Sequence, residues 1–193
     1  MKAVSTKAVF LDRDGTLNEE VGYLNHLSRF RLLPGAAEAV RLLNRAGWKA
    51  VVVSNQSGVA RGYFPESVLR AAEERLQAEL AGEGAVLDAT YYCLHHPEAL
   101  LPAYRQNCPC RKPRPGLLLR AASELGIDLG ASWLIGDRLL DVETAHNAGA
   151  KGILVLTGYG RGERDYVLPT SAVKPDHVAE DVLAAVRWLL ERP

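Results

Sequence analysis

The chain has 193 residues, 48% hydrophobic and 24% charged, which is an ordinary composition for one globular domain. Its 23 Lys and Arg residues balance its 23 Asp and Glu residues, and this zero net charge argues against a nucleic-acid partner, which would require a basic excess. No apolar run is long enough to cross a membrane and no signal-peptide core is present, so we expect a single domain over 1–193 that acts in the cytoplasm.

Apolar runs alternate with helical periodicity along the chain. The pattern predicts five strands and a short edge strand, at 7–12, 48–53, 89–93, 132–135, 151–156 and 176–178. Apolar residues at helical spacing predict helices at 36–46, 65–82, 115–125, 140–148 and 182–190. This order predicts an α/β fold of three layers, with a mostly parallel, right-handed, Rossmann-like sheet between the helices.

Three segments carry no clear periodicity. Residues 15–31 are polar, and we expect them to form a loop over the active edge of the sheet. Residues 94–114 contain four prolines, and an irregular stretch of this length inside a compact domain requires an explanation. Residues 158–171 are polar and are predicted to be a mobile loop.

Polar side chains follow the predicted strands at four places. These are Asp12 and Asp14, Ser54 and Asn55, Arg111 and Lys112, and Asp137. In an open parallel sheet such groups lie in one crevice, beyond the carboxyl ends of the strands. We therefore expect them to form one site, although D-x-D-G alone also fits an ordinary turn, and Arg111–Lys112 alone fits a solvated basic pair.

The chemistry of these groups suits phosphoryl transfer. Asp12, Asp14 and Asp137 offer the oxygen ligands that Mg²⁺ prefers. Ser54 can donate to a phosphoryl oxygen, while Lys112 supplies positive charge. Arg111 can add a bidentate contact to the same group. Positioning and charge neutralisation are what phosphoryl transfer requires of a protein.

The three cysteines lie around the irregular segment. Cys93 and His95 precede it, and Cys108 and Cys110 lie near its end, so the four side chains could form a closed tetrahedral Zn²⁺ site in a loop over 93–110. His96 is the rival ligand, but residues two apart in an extended segment point to one side, which favours His95 beside Cys93. The alternative is three buried free thiols and a surface histidine.

Four stretches resemble, in order, the four motifs of the haloacid dehalogenase superfamily: D-R-D-G-T-L at 12–17, S-N at 54–55, K-P at 112–113 and G-D-R-L-L-D at 136–141. The resemblance implies that Asp12 is the nucleophile that forms an aspartyl-phosphate. It implies that Asp14 protonates the leaving oxygen and then activates water, and that Mg²⁺ is held by Asp12, the Asp14 carbonyl and Asp137. Asp141 would either support this site or act simply as a helix N-terminal acid, which we favour.

Within that superfamily, C-x-H…C-x-C-R-K-P resembles two phosphatase families, which act on D-glycero-D-manno-heptose 1,7-bisphosphate and on histidinol phosphate. N-Q-S-G-V-A-R-G at 55–62 favours the first, and so does the loop at Gly22–Tyr23. That resemblance implies an Mg²⁺-dependent sugar bisphosphate 7-phosphatase with structural Zn²⁺ and no separate cap domain. The pocket would be lined by Glu20, Val21, Gly22, Tyr23, Ser54, Asn55, Gln56, Ser57, Arg111, Lys112 and Arg138.

Two questions stay open from the sequence, namely the contact geometry at position 138 and whether the protein turns over its ligand. Position 138 is Arg where the heptose family is expected to have Lys, so the contact geometry there does not transfer directly. A protein that binds a phosphorylated ligand without turnover is also conceivable, although a binder has no need of the second acid, Asp14. We expect a monomer that acts on a small-molecule sugar phosphate, because no feature of the sequence indicates an interface.

Overall fold

A computed structural model describes residues 6–192 of the chain, and its centre is a six-stranded sheet. The strands are β1 (Ala8–Leu11), β2 (Lys49–Asn55), β3 (Ala89–Cys93), β4 (Trp133–Gly136), β5 (Lys151–Val155) and β6 (His177–Ala179). All neighbouring strands are parallel, and their order in the sheet is β3-β2-β1-β4-β5-β6. The predicted strands are confirmed, with ends shifted by one or two residues.

Helices connect the strands, as the periodicity predicts. They are α1 (Ala36–Arg45), α2 (Glu66–Gly82), α3 (Gly116–Leu125), α4 (Leu139–Asn147), the short α5 (Gly160–Gly162) and α6 (Val182–Leu190). Three 3-10 turns lie at Leu27–Arg29, Pro102–Tyr104 and Leu129–Ala131. The last helix begins where the Asp181 carboxylate accepts a hydrogen bond from the Ala184 amide at 2.8 Å, which satisfies one free N–H of the first turn.

The sheet is covered on both faces, and β1 shows how. Val9 and Leu11 point to the face covered by α1, α2 and α6, whereas Ala8 and Phe10 point to the face covered by α3 and part of α4. All four side chains are fully buried, which is why this strand is a continuous apolar run. The predicted three-layer α/β architecture is therefore confirmed.

The position of β1 determines where the site forms. Leu11 pairs with Val52 of β2 and with Ile135 of β4, so three strands end close together at one edge of the sheet. The segment between β1 and α1 folds back over this edge, and Leu17 lies in the core. Within the described residues this segment contains one 3-10 turn and no separate cap domain.

The prediction of a loop at residues 158–171 is wrong. Residues 158–171 contain α5 and a π-helix at Glu163–Val167, because contacts from elsewhere order the segment. The Glu163 carboxylate accepts a hydrogen bond from the Leu139 amide at 3.1 Å, and Leu168 packs on the cluster around Leu139 and Leu154. Among residues 6–192, no helix has the length and apolarity that crossing a membrane requires.

Candidate active site

Three carboxylates from distant parts of the chain meet at the end of β1. Asp12 follows β1, Asp137 follows β4 and Asp141 lies in the first turn of α4. Each offers an oxygen, and these oxygens lie within 4.8 Å of one another. All three residues are buried. The predicted convergence of residues 12 and 137 is therefore present, and Asp141 adds a third acid.

Lys112 supplies the positive charge of this group. Its Nζ donates to Asp12 Oδ1 at 2.8 Å, to Asp141 Oδ1 at 2.5 Å and to the Val53 carbonyl at 3.2 Å. Burial alone would lower the pKa of Lys112, but the charges of Asp12 and Asp141 raise it above the usual lysine value. Lys112 therefore stays protonated at neutral pH.

Asp141 combines the two roles that the sequence left open. Its Oδ2 accepts a hydrogen bond from the Arg138 amide at 3.2 Å at the start of α4, and its Oδ1 accepts from Lys112. The prediction that Asp141 acts simply as a helix N-terminal acid is therefore incomplete. Gly136 must be glycine here, because a Cβ at this position would collide with the Asp141 carboxyl group.

The proximity of these acids destabilises the ionised form of Asp137. Burial and the negative charges of Asp12 and Asp141 raise its pKa from 3.8 to about 8, although the Tyr159 amide donates to its Oδ2 at 2.8 Å. A divalent cation would remove this repulsion, and the three carboxylates are the hard oxygen ligands that Mg²⁺ prefers. The donor set therefore fits magnesium.

Asp14 lies beside this group but faces other partners. Arg13 donates to its two oxygens at 2.8 and 3.0 Å, Asn18 donates at 2.8 Å and Gln56 at 2.7 Å. Burial alone would raise the pKa of Asp14, but the charge of Arg13 and these hydrogen bonds lower it below the usual value. Asp14 is therefore an oriented carboxylate that lines the same cavity as the acidic group.

The acids line the floor of a cavity of about 350 Å³. Most of the residues predicted to line the pocket do so: Glu20, Gly22, Tyr23, Ser54, Asn55, Gln56, Ser57, Arg111, Lys112 and Arg138. Val21 is a correction, because its side chain packs against the core and its carbonyl accepts from Arg29 at 2.7 Å. Sequence reasoning missed five other lining residues, namely Leu24, Gly58, Arg61, Leu140 and Tyr159.

The missed residues had unequal signals. Gly58 and Arg61 lie within the N-Q-S-G-V-A-R-G stretch, whose first residues were assigned to the site. Tyr159 gave no signal, because its segment was predicted to be a loop. It places its ring 5.2 Å from the guanidinium carbon of Arg138, and the Arg138 Nε lies 3.4 Å from Glu163. Arg138 is thus held beside the cavity by residues of the segment after β5.

The four predicted zinc ligands also come together. Ligand atoms of Cys93, His95, Cys108 and Cys110 lie within 4.8 Å of one another. Cys93 Sγ is 3.9 Å from the Cys108 sulfur and 3.8 Å from the Cys110 sulfur, and ligands about 2.3 Å from a tetrahedral Zn²⁺ are roughly 3.8 Å apart. The Cys108 and Cys110 sulfurs are in bonding contact, so a disulfide between them is the alternative state of this cluster.

His96 is not part of this cluster. Its Nε2 lies 2.9 Å from Arg61, so the choice of His95 over His96 agrees with the geometry. Short connections hold Arg111 and Lys112 beside this cluster. Arg111 donates to the His95 carbonyl at 3.1 Å, and the Lys112 amide donates to Asn55 Oδ1 at 3.1 Å.

Comparison with known proteins adds a family assignment to this geometry. Residues 109–185 match the sequence model of a family described as HAD-hydrolase-like. The D-glycero-D-manno-heptose-1,7-bisphosphate 7-phosphatase of Thermosynechococcus vestitus is 49% identical over 189 residues, which cover 94% of each chain. The D-glycero-beta-D-manno-heptose-1,7-bisphosphate 7-phosphatase of Escherichia coli K12 is 45% identical over 158 residues, 81% of this chain and 82% of its own.

A solved structure agrees with these relatives. The D,D-heptose 1,7-bisphosphate phosphatase from B. bronchiseptica, complexed with magnesium and phosphate, superimposes with a TM-score of 0.86 at 34% identity. The superposition covers 96% of this chain and 99% of that one.

Proposed function

The chain belongs to the heptose 1,7-bisphosphate 7-phosphatase family of haloacid dehalogenase-like hydrolases, and we propose that it removes the 7-phosphate from D-glycero-D-manno-heptose 1,7-bisphosphate. The observation that carries the proposal is the meeting of Asp12, Asp137 and Asp141 around Lys112 at the floor of the cavity. The names of the relatives give no support to histidinol phosphate, the alternative substrate.

In the first step, an Asp12 carboxylate oxygen attacks phosphorus and the bond from phosphorus to the sugar oxygen breaks. Asp14 delivers the proton that the departing oxygen needs. Because Arg13, Asn18 and Gln56 keep Asp14 ionised at rest, Asp14 takes up this proton from solvent as the dianionic 7-phosphate enters. The result is a phosphoryl group on Asp12 and a neutral sugar hydroxyl.

In the second step, Asp14 accepts a proton from water as the water oxygen attacks the phosphoryl group. Inorganic phosphate leaves, and the Asp12 carboxylate is restored. Lys112 and Ser54 stabilise the negative charge on the phosphoryl oxygens in both steps. Asp12, the Asp14 carbonyl and Asp137 would hold magnesium, which would supply further positive charge to stabilise the phosphoryl group.

The zinc assignment is part of the proposal. The distances from Cys93 to its neighbours fit a tetrahedral thiolate site, and bound Zn²⁺ would order the irregular loop ahead of Arg111 and Lys112. A zinc site needs reduced cysteines, which supports a protein of the reducing cytoplasm. Native mass spectrometry, which measures bound zinc, and alkylation after chelation, which counts free thiols, separate the two states. One zinc per chain and three alkylated thiols would support the zinc site. One alkylatable thiol and no zinc would support the Cys108–Cys110 disulfide instead.

The proposal extends to a monomer that acts on its small-molecule substrate without a nucleic acid or a membrane. The neutral charge balance supports it, because a nucleic-acid footprint depends on basic excess. Light scattering during size-exclusion chromatography checks the mass, and a dimer of stable mass across a dilution series would contradict the monomer.

A phosphate-release assay tests the function. Heptose 1,7-bisphosphate and histidinol phosphate are compared at equal concentrations with Mg²⁺, and we expect clear preference for the bisphosphate. Asp12→Asn should abolish release while it leaves the melting temperature nearly unchanged, because the amide cannot attack phosphorus. Asp165→Asn, the same change at an exposed position, is the matched control. Preference for histidinol phosphate would overturn the substrate, and activity of Asp12→Asn would overturn the nucleophile.

A further inference from the structure

A bisphosphate brings two phosphates into the cavity, and the group around Lys112 can serve only one of them. Lys112 is already paired with Asp12 and Asp141. The other cationic side chains that line the cavity are Arg61, Arg111 and Arg138. Arg138 has Glu163 within 3.4 Å, so part of its charge is balanced by the protein.

Arg61 has donors that the protein does not satisfy. Its Nη2 lies 2.9 Å from His96 Nε2, but His96 Nδ1 accepts a hydrogen bond from the Glu98 amide at 3.0 Å. A neutral imidazole that accepts at Nδ1 carries its hydrogen on Nε2, so two donors face each other. The Arg61 Nε is buried and has no partner among the described residues.

Arg61 and Arg111 form an uncompensated pair of charges. Among residues 6–192, neither guanidinium forms an ion pair with a carboxylate. Both guanidinium groups line the same cavity, where their positive charges repel each other. A dianion between them would relieve this repulsion and accept the free N–H groups, as planar guanidinium groups do with phosphate.

We propose that Arg61, together with Arg111, forms the subsite for the second phosphate of the substrate, the one that is not removed. This deepens the proposed function and rests on it, because it requires a bisphosphate substrate. The turn that carries Arg61 is held in place by two hydrogen bonds. The Arg61 amide donates to the Ser57 carbonyl at 3.0 Å, and the Leu101 amide donates to the Ala60 carbonyl at 3.0 Å.

The test compares two substrates that differ only in this phosphate, heptose 1,7-bisphosphate and heptose 7-phosphate. In Arg61→Met, kcat/KM for the bisphosphate should fall about 10- to 100-fold, mainly through KM, as expected for the loss of a charged hydrogen bond. The value for heptose 7-phosphate should stay within about twofold of the original, since it lacks the second phosphate. Arg61→Lys should restore part of the loss, because it keeps the charge without the planar fork.

Arg70→Met, on the exposed surface of α2, is the matched control and should leave both substrates unaffected. An equal loss on both substrates, or no loss on either, would overturn the role of Arg61. Failure of the unchanged protein to release phosphate from the bisphosphate would refute the proposed function and, with it, this inference. Normal turnover with an unaltered substrate ratio in Arg61→Met would refute the subsite alone.

Discussion

Arg13 is a charged residue that is only 1% exposed, between the two acids of the D-R-D sequence. Its Nε and Nη2 donate to Asp14, and its guanidinium carbon lies 5.5 Å from the centre of the Tyr92 ring. Such a buried ion pair is costly to break, because removal of one partner leaves the other charge uncompensated. Arg13 thus fixes both the orientation and the charge of the proposed acid–base residue.

Replacement of Arg13 by methionine should be severe. We expect a loss of about 3–5 kcal/mol in the free energy of unfolding, measured by urea denaturation at neutral pH. The pKa of Asp14 should rise, so the alkaline limb of the kcat/KM profile, where the general acid loses its proton, should move to higher pH. Arg164→Met is the matched control, since Arg164 pairs with the adjacent Asp165 in the same way but on the surface. Similar behaviour of the two variants would contradict this account.

Gly15 provides a second prediction at this scale. It has a positive φ of 81°, and a Cβ there would collide with the Asp137 carboxylate. Gly15→Ala should therefore displace Asp137 and lower kcat by about 100-fold. Gly47→Ala shares the strain of a positive φ, 75°, but meets nothing within 4 Å, so it isolates the effect of the collision. Comparable kcat values in the two variants would exclude the predicted displacement.

Among the elements, the loop between β3 and α3 is the one that the proposed zinc site would order. Removal of zinc should loosen residues 93–110 and raise KM several-fold, because Arg111 and Lys112 follow Cys110 directly. Hydrogen exchange should show faster exchange in this loop and unchanged exchange in α6. Kinetics that stay the same in protein verified to be free of zinc would argue against the coupling.

The strands and long helices could be predicted because their signals are local. A continuous apolar run such as 8–11 marks a strand buried on both faces, and Asp181 marks the start of a helix. Residues 158–171 could not be predicted, because their helical turns depend on distant contacts, such as the one between Glu163 and the Leu139 amide. The prediction that Val21 lines the pocket failed for the same reason. Packing against the core and the hydrogen bond from Arg29 to its carbonyl determine its orientation.

Only part of the candidate active site could be predicted from the sequence. The topology implied by alternating strands and helices was enough to bring Asp12 and Asp137 together. The second contact of Asp141, with Lys112, depends on how a loop 29 residues away packs. Arg61 was missed although it lies in the N-Q-S-G-V-A-R-G stretch, because its place in the cavity follows from the packing of its turn on the loop that contains Leu101.

Magnesium should stabilise the molecule in a pH-dependent way. In metal-free protein the pKa of Asp137 is raised from 3.8 to about 8, so the folded state holds a proton that the unfolded state releases. Stability from this group is therefore lost as pH rises between those values, and Mg²⁺ should restore it. Thermal unfolding should show a larger gain from Mg²⁺ at pH 8 than at pH 5. In Asp137→Asn the gain should be small at both pH values, and an equal gain at both in the original protein would contradict the prediction.

The place of β1 between β2 and β4 has a consequence for biosynthesis. During translation β1 gains one neighbour with residues 49–55, but the other arrives only with residues 133–136, and the Ala8 amide then donates to Ser132 across 124 positions. Until then a nascent polypeptide carries a half-finished, apolar sheet edge, the kind of surface that chaperones protect. Translation products that stop short of residue 137 should therefore be both inert and prone to aggregate.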